Sequence, residues 1–131
     1  FALFLSVWIC DTAAFWFGIK FGKRKILPTI SPNKTWVGSI AGLIFSVLFM
    51  LILYRFNYFT AYVSNTDALV LGLITGFFGQ LGDFAESFLK RKANIKDTSN
   101  FLRGHGGILD RFDSLSFAAP LVLLYCNYFI F

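Results

Sequence analysis

Charge is scarce in this sequence. Asp, Glu, Lys and Arg make up 15% of its 131 residues, and there is a single histidine. Soluble globular domains carry about 25% charged residues, so an ordinary soluble domain is excluded. Cysteine is nearly absent: Cys10 and Cys126 both fall in apolar runs and no CxxC occurs. Such lone thiols act as small hydrophobes more often than as disulfide or metal sites. No basic stretch precedes the first apolar run, and the chain opens on Phe1. The first apolar run is therefore expected to be a span rather than a signal peptide. The expectation is the C-terminal part of a longer protein whose remainder supplies further spans.

What fills the sequence is apolar. Hydrophobic residues account for 56% and aromatics for 20%, with a mean hydropathy of +0.66. Runs over about 1–19, 36–54, 67–89 and 115–131 each approach the roughly 20 apolar residues a helix needs to cross a bilayer core. The expected fold is an all-α integral membrane protein, with 1–131 as a single membrane domain. Its four or so transmembrane helices would form part of a larger polytopic bundle. Basic residues concentrate in loops 20–35 (Lys20, Lys23, Arg24, Lys25, Lys34) and 90–114 (Lys90, Arg91, Lys92, Lys96, Arg103, Arg111), whereas loop 55–66 holds only Arg55. Short basic loops mark the cytoplasmic side, so the first and third loops are predicted to be cytoplasmic. Topology signalling and anionic-lipid contact account for some of these cations. They do not account for Asp97, Asp110 and Asp113 among them.

Charges also sit inside the apolar runs, where each costs about 2.5–3.5 kcal/mol at a helix centre. The third run carries Gln80, Asp83 and Glu86. At helical periodicity Gly72, Gly76, Gly79, Asp83, Glu86 and Lys90 fall within about 40° of one line, opposite Leu73, Phe77, Leu81 and Phe88. Small residues at this spacing admit a neighbouring helix. Ser39, Gly42 and Ser46 make a second such face, and both are compatible with packing inside the bundle or with a homodimer. Asp83 lies roughly 10 Å in from Lys90 at 1.5 Å per residue. Asp11 precedes Lys20 by a similar length and shares its face with Ala14 and Gly18. Two carboxylates buried at matching depth point to one polar cavity. One reading is an intramembrane ion pair, such as Asp83 with a lysine from another span. The other is a cation site suited to Mg²⁺, which takes one or two carboxylates plus substrate phosphates.

The densest polar stretch is SFLKRKANIKDTSNFLRGHGGILDRFD, Ser87 to Asp113. Asp110 and Asp113 would share a helical face. With Ser87, Lys90, Arg91, Lys96, Asp97, His105, Gly106, Gly107, Asp110, Arg111 and Asp113 at fixed spacing, the stretch resembles the signature of the CDP-diacylglycerol synthases, also called phosphatidate cytidylyltransferases. QLGDFAES (80–87), CDTAAFWFGIKFGK (10–23) and SPNKTW (31–36) resemble further motifs of that family. Arg103 and Val37 depart from it, standing where the family usually has Pro or Gly and Glu.

The resemblance implies that CTP and phosphatidate give CDP-diacylglycerol and pyrophosphate. Metal ions, Lys and Arg would hold the phosphates. It implies Mg²⁺, with or without a second cation, on Asp83, Asp110 and Asp113, with Asp11 a further ligand. Lys34, Lys90, Arg91, Lys96 and Arg111 would face phosphates; among these Lys96 and Arg111 join the three aspartates as catalytic residues. Ser31, Asn33 and Thr35 would donate to a phosphate beside the second helix's N-terminus. His105 would serve as a hydrogen-bond donor, and Gly106 and Gly107 would let backbone amides approach. Expected partners are the two substrates and membrane lipids, not nucleic acid. The site would face the cytoplasm, at the inner membrane if the source is bacterial, and the chain alone is expected to be inactive. Two alternatives are a CTP-dependent lipid kinase and a transporter or channel subunit, whose pathways also use buried acids.

Overall fold

A computed structural model describes residues 1–59, 62–93 and 109–130, with 109–113 described by backbone alone. The chain runs α1 (Ala2–Phe21), β1 (Lys25–Leu27), β2 (Ser31–Thr35), α2 (Trp36–Arg55), α3 (Asn65–Lys92) and α4 (Leu109–Tyr125), followed by one π-helical turn, Cys126–Ile130. Helices α1, α2 and α3 are each long and apolar enough to cross a membrane. The fourth apolar run begins its helix at Leu109, ahead of residue 115. It contains Pro120, which lacks the N–H that an interior helical residue donates four positions back.

Small residues set the helix contacts. Gly42 faces the Cys10 carbonyl and Ala14, and Gly38 faces Ala14 and Gly18, so α1 and α2 pack in opposite directions. Gly72 and Gly76 of α3 lie on Ser46, Val47 and Leu43 of α2, again antiparallel, while Gly79 faces Val7 of α1 and Ser114 of α4. At mid-height Ser6, Ser46 and Thr75, all fully buried, bring their hydroxyl oxygens within 2.9 Å of one another. Ser46 also donates to the Gly72 carbonyl at 2.9 Å, and Thr75 to Leu71 at 2.9 Å. Three hydroxyl protons are thus shared among oxygens from three helices, which satisfies polar groups that hydrocarbon cannot. Outward faces are apolar: Trp8, Trp16, Ile40, Leu48, Phe77 and Leu123 are exposed, as lipid contact requires.

Among the described residues, the loop expected over 20–35 holds the one departure from an all-α fold. β1 and β2 pair antiparallel, Lys25 with Thr35 and Leu27 with Ser31, with a register irregularity between. The Ile30 amide closes the turn on the Leu27 carbonyl at 3.1 Å. Pro28 fits that turn with its fixed φ, and Pro32 tolerates an edge strand because it has no amide to leave unpaired. Thr35 ends the hairpin and caps α2, its Oγ1 accepting from the Gly38 amide at 3.2 Å. Ser64 caps α3 reciprocally with Asp67, the capping-box arrangement.

Candidate functional site

The hairpin lies over the end of the bundle where α1 stops, α2 starts and α3 runs on toward Lys92. Between them is a cavity of about 210 Å³ lined by Asp11, Ala14 and Phe15 of α1, Ser31, Asn33, Lys34 and Thr35 of β2, Gly38 and Ser39 of α2, and Gln80 and Asp83 of α3. Asp83 comes one helical turn after Gln80, so both point to the same side. Gln80 Nε2 donates to the Ser39 carbonyl at 2.9 Å, which fixes α3 against the start of α2. The two intramembrane aspartates therefore reach one space from different helices. Asp11 lines that space from α1 while part of its surface stays open in the described bundle. Asp83 is intermediate.

Lys34 extends from β2 to Asp83 Oδ2 as hydrogen bond and ion pair. Its Nζ also stands 4.2 Å from the centroid of the Phe84 ring, a cation–π contact. The side chains of Lys34 and Asp83 retain 24% and 32% of their exposure. The ion pair that the sequence raised for Asp83 thus exists, but its lysine comes from the hairpin rather than from a spanning helix. It sits inside the cavity that a cation site requires, so the two readings meet at one place.

The other expected residues divide into four groups. Ser31, Asn33 and Thr35 line the cavity, but Thr35 is buried and its oxygen already caps α2, so it serves first to hold the hairpin–helix junction. Lys90 and Arg91 are not among the lining residues. Lys90 Nζ is 2.7 Å from Glu86 Oε1; the pair is a charge contact, since neither Glu86 oxygen takes an aligned hydrogen bond from a described group. Arg91 Nε donates to the Ile30 carbonyl at 3.4 Å, tying α3 to the turn of the hairpin. Lys96, Arg103, His105, Gly106 and Gly107 lie outside the described residues. Asp110, Arg111 and Asp113 fall in the first turns of α4, where their spacing puts the two aspartates on one face. Val37 is exposed in the first turn of α2 and does not line the cavity.

Sequence reasoning missed the Gln80–Ser39 tie, the Phe84 contact and the Ser6–Ser46–Thr75 cluster. The Gln80–Asp83 spacing, three residues on a helix already seen as two-faced, held the signal for the first. Ser46 stood in a recognised small-residue stripe, but its partners lie 40 and 29 residues away, beyond any local pattern.

The donor set fits a hydrated divalent cation: two carboxylates, with a serine and an asparagine beside them, around a space large enough for several waters. It does so provided Lys34 leaves Asp83. Among the described residues no group of three His, Cys, Asp or Glu converges, so ligands beyond the two aspartates would come from phosphate, water or the first turns of α4.

An apolar helical bundle with an ionic cavity at its lysine-rich end is an integral membrane protein with a polar site sunk in one face. The chain belongs to the cytidylyltransferase family, whose sequence profile matches residues 1–129. It is 47% identical over 119 residues to a phosphatidate cytidylyltransferase of Staphylococcus saprophyticus and equally identical over the same length to one of Staphylococcus haemolyticus. It is 48% identical over 120 residues to one of Staphylococcus aureus. Each match covers 91% of this chain and 45% of the relative, so the chain spans just under half the length of the curated relatives it matches.

Proposed function

We propose that this chain supplies the phosphate- and cation-binding part of a phosphatidate cytidylyltransferase. A phosphate oxygen of phosphatidate attacks the α-phosphorus of CTP. The new P–O bond makes CDP-diacylglycerol, and the bond to the β-phosphate breaks, releasing pyrophosphate. The nucleophile is already anionic, so positioning and charge neutralisation carry the reaction more than base catalysis does. Mg²⁺ held at the aspartates would neutralise phosphate charge as pyrophosphate departs. Asp83 and Asp11 offer the carboxylates within the cavity, and Asp110 and Asp113 are assigned to the same cradle. Lys34 offers an ammonium and Ser31 and Asn33 offer hydrogen bonds to the phosphates. Lys90, Arg91, Lys96 and Arg111 supply positive charge at the rim, where His105 donates to phosphate and Gly106 and Gly107 bring backbone amides close. The site faces the cytoplasm, where CTP arrives from water and phosphatidate presents its head group at the interface.

One observation carries this reading: Asp11, Lys34 and Asp83, from three separate elements, meet in a single cavity within a chain of this family. The test uses the full-length parent protein in detergent with phosphatidate, labelled CTP and Mg²⁺. Label entering the lipid phase, with pyrophosphate released, and its loss in Asp83→Asn are the expected results. Release of CDP instead would indicate a lipid kinase. No turnover by folded parent would favour a transport role.

A further inference from the structure

We infer that Lys34 is a built-in stand-in for the cation at Asp83, exchanged for it when a phosphate ligand arrives. This rests on the proposed reaction only for the identity of that phosphate. Lys34 is the cationic side chain among the residues lining the cavity, and its ammonium is engaged with Asp83 Oδ2 rather than held in the open. The centroid of the Phe84 ring, 4.2 Å away, adds a cation–π contact to the ammonium. A second cation expected to meet phosphate, Arg91, is likewise occupied, through the Ile30 carbonyl. Both contacts hold the hairpin against α3.

The charges forbid two simultaneous occupants. A divalent cation on Asp83 would stand within contact distance of the ammonium, where like charges repel strongly in a partly desolvated cavity. Lys34 must therefore move for the carboxylate to take a metal. It can do so at little cost, because the pair is a quarter to a third exposed and the lysine stem is long and flexible. A phosphate in the cavity gives the ammonium somewhere to go. Asp83 then pairs with the metal and Lys34 with the phosphate, and each charge keeps an opposite neighbour. Linkage makes the effect reciprocal: phosphate bound at Lys34 raises the cation affinity of Asp83, and a cation on Asp83 frees Lys34 for phosphate. The site would stay closed to metal alone and fill only when both ligands are present.

The test measures metal alone, with no phosphate present. Full-length protein in detergent is stripped with chelator and titrated with Mn²⁺, and free Mn²⁺ is read by electron paramagnetic resonance. Lys34→Met and Lys34→Gln are each expected to bind Mn²⁺ at least tenfold more tightly than the parent. Lys34→Arg, which keeps the charge, should match the parent. The gain should vanish when Lys34→Met is combined with Asp83→Asn. A Lys34→Met and Lys34→Gln affinity equal to or below that of the parent would overturn the exchange. So would a gain that persists undiminished in the Asp83→Asn background, since that would show a field effect without shared occupancy. The same preparation assayed for cytidylyl transfer separates the two claims. Turnover by the parent without the affinity gain sinks the exchange alone, whereas the gain without turnover sinks the reaction and leaves the exchange standing.

Discussion

At the scale of single residues, Asp83 has the most chemistry concentrated on it, because it alone joins the cavity, the ion pair and the α3 stripe. Asp83→Asn keeps the shape and removes the charge that Lys34 or a cation needs. In the full-length protein we expect cytidylyl transfer to fall by about 10²-fold or more, the scale on which lost electrostatic stabilisation is felt. Thermal unfolding should move little, since a partly exposed ion pair contributes only about 0–1 kcal/mol. A large loss of stability with an equal loss of activity would make Asp83 structural. The residue itself was legible in the sequence, as a carboxylate in an apolar run has few reasons to be there. Its partner was not. Lys34 lies 49 residues earlier, in a lysine-rich stretch whose charge also serves topology, and only folding of the hairpin selects one lysine out of four.

At the scale of elements, α3 tests the packing logic within one helix. A Cβ added at Gly72 would stand 2.6 Å from Val47 Cα, backbone that cannot turn aside, whereas one added at Gly79 meets nothing nearer than Val7 Cγ2 at 3.7 Å. Gly72→Ala should push α3 off α2 and cost about 1–3 kcal/mol. Gly79→Ala should be neutral or stabilising by up to about 1 kcal/mol through helix propensity. Thermal melts in detergent distinguish them, and equal effects would mean that the stripe does not seat on α2 as described. Thr75→Val belongs beside them. It is close in volume, removes the hydroxyl shared with Ser6 and Ser46, and should cost about 0.6–1.7 kcal/mol, the range measured for hydrogen bonds between membrane helices. The glycine–carboxylate face of α3 was readable from periodicity, because a 28-residue helix repeats its pattern many times. The hairpin was not, because strands of 3 and 5 residues give too little alternation to stand out from a basic loop. The start of α4 ahead of its apolar run was legible only through the Asp110–Asp113 spacing, because hydropathy marks only the part that lipid covers.

At the scale of the whole molecule, the charge distribution yields a testable expectation for the side on which the cavity opens. Chain direction puts the hairpin, the end of α1 and the end of α3 at one side, with Lys20, Lys23, Arg24, Lys25, Lys34, Lys90, Arg91 and Lys92. The opposite side, where α2 ends and α3 begins, has Arg55 alone. Lysine and arginine in short loops are retained in the cytoplasm, and the reaction proposed above draws its CTP from that side. The charge pattern and the proposed reaction both call for the cavity on the cytoplasmic face, and a single labelling experiment tests that orientation. In full-length protein carrying Cys126→Ser, with Cys10 left in place because it is buried, a cysteine is introduced at Lys25 or at Tyr58. Both positions are exposed, and they lie at opposite ends. A membrane-impermeant maleimide added to inside-out vesicles should label Lys25→Cys and spare Tyr58→Cys; intact cells should show the reverse. Labelling of Tyr58→Cys from the cytoplasmic side would invert the bundle. The cavity would then open away from CTP, and no arrangement of its aspartates and lysine could rescue a nucleotide-using reaction.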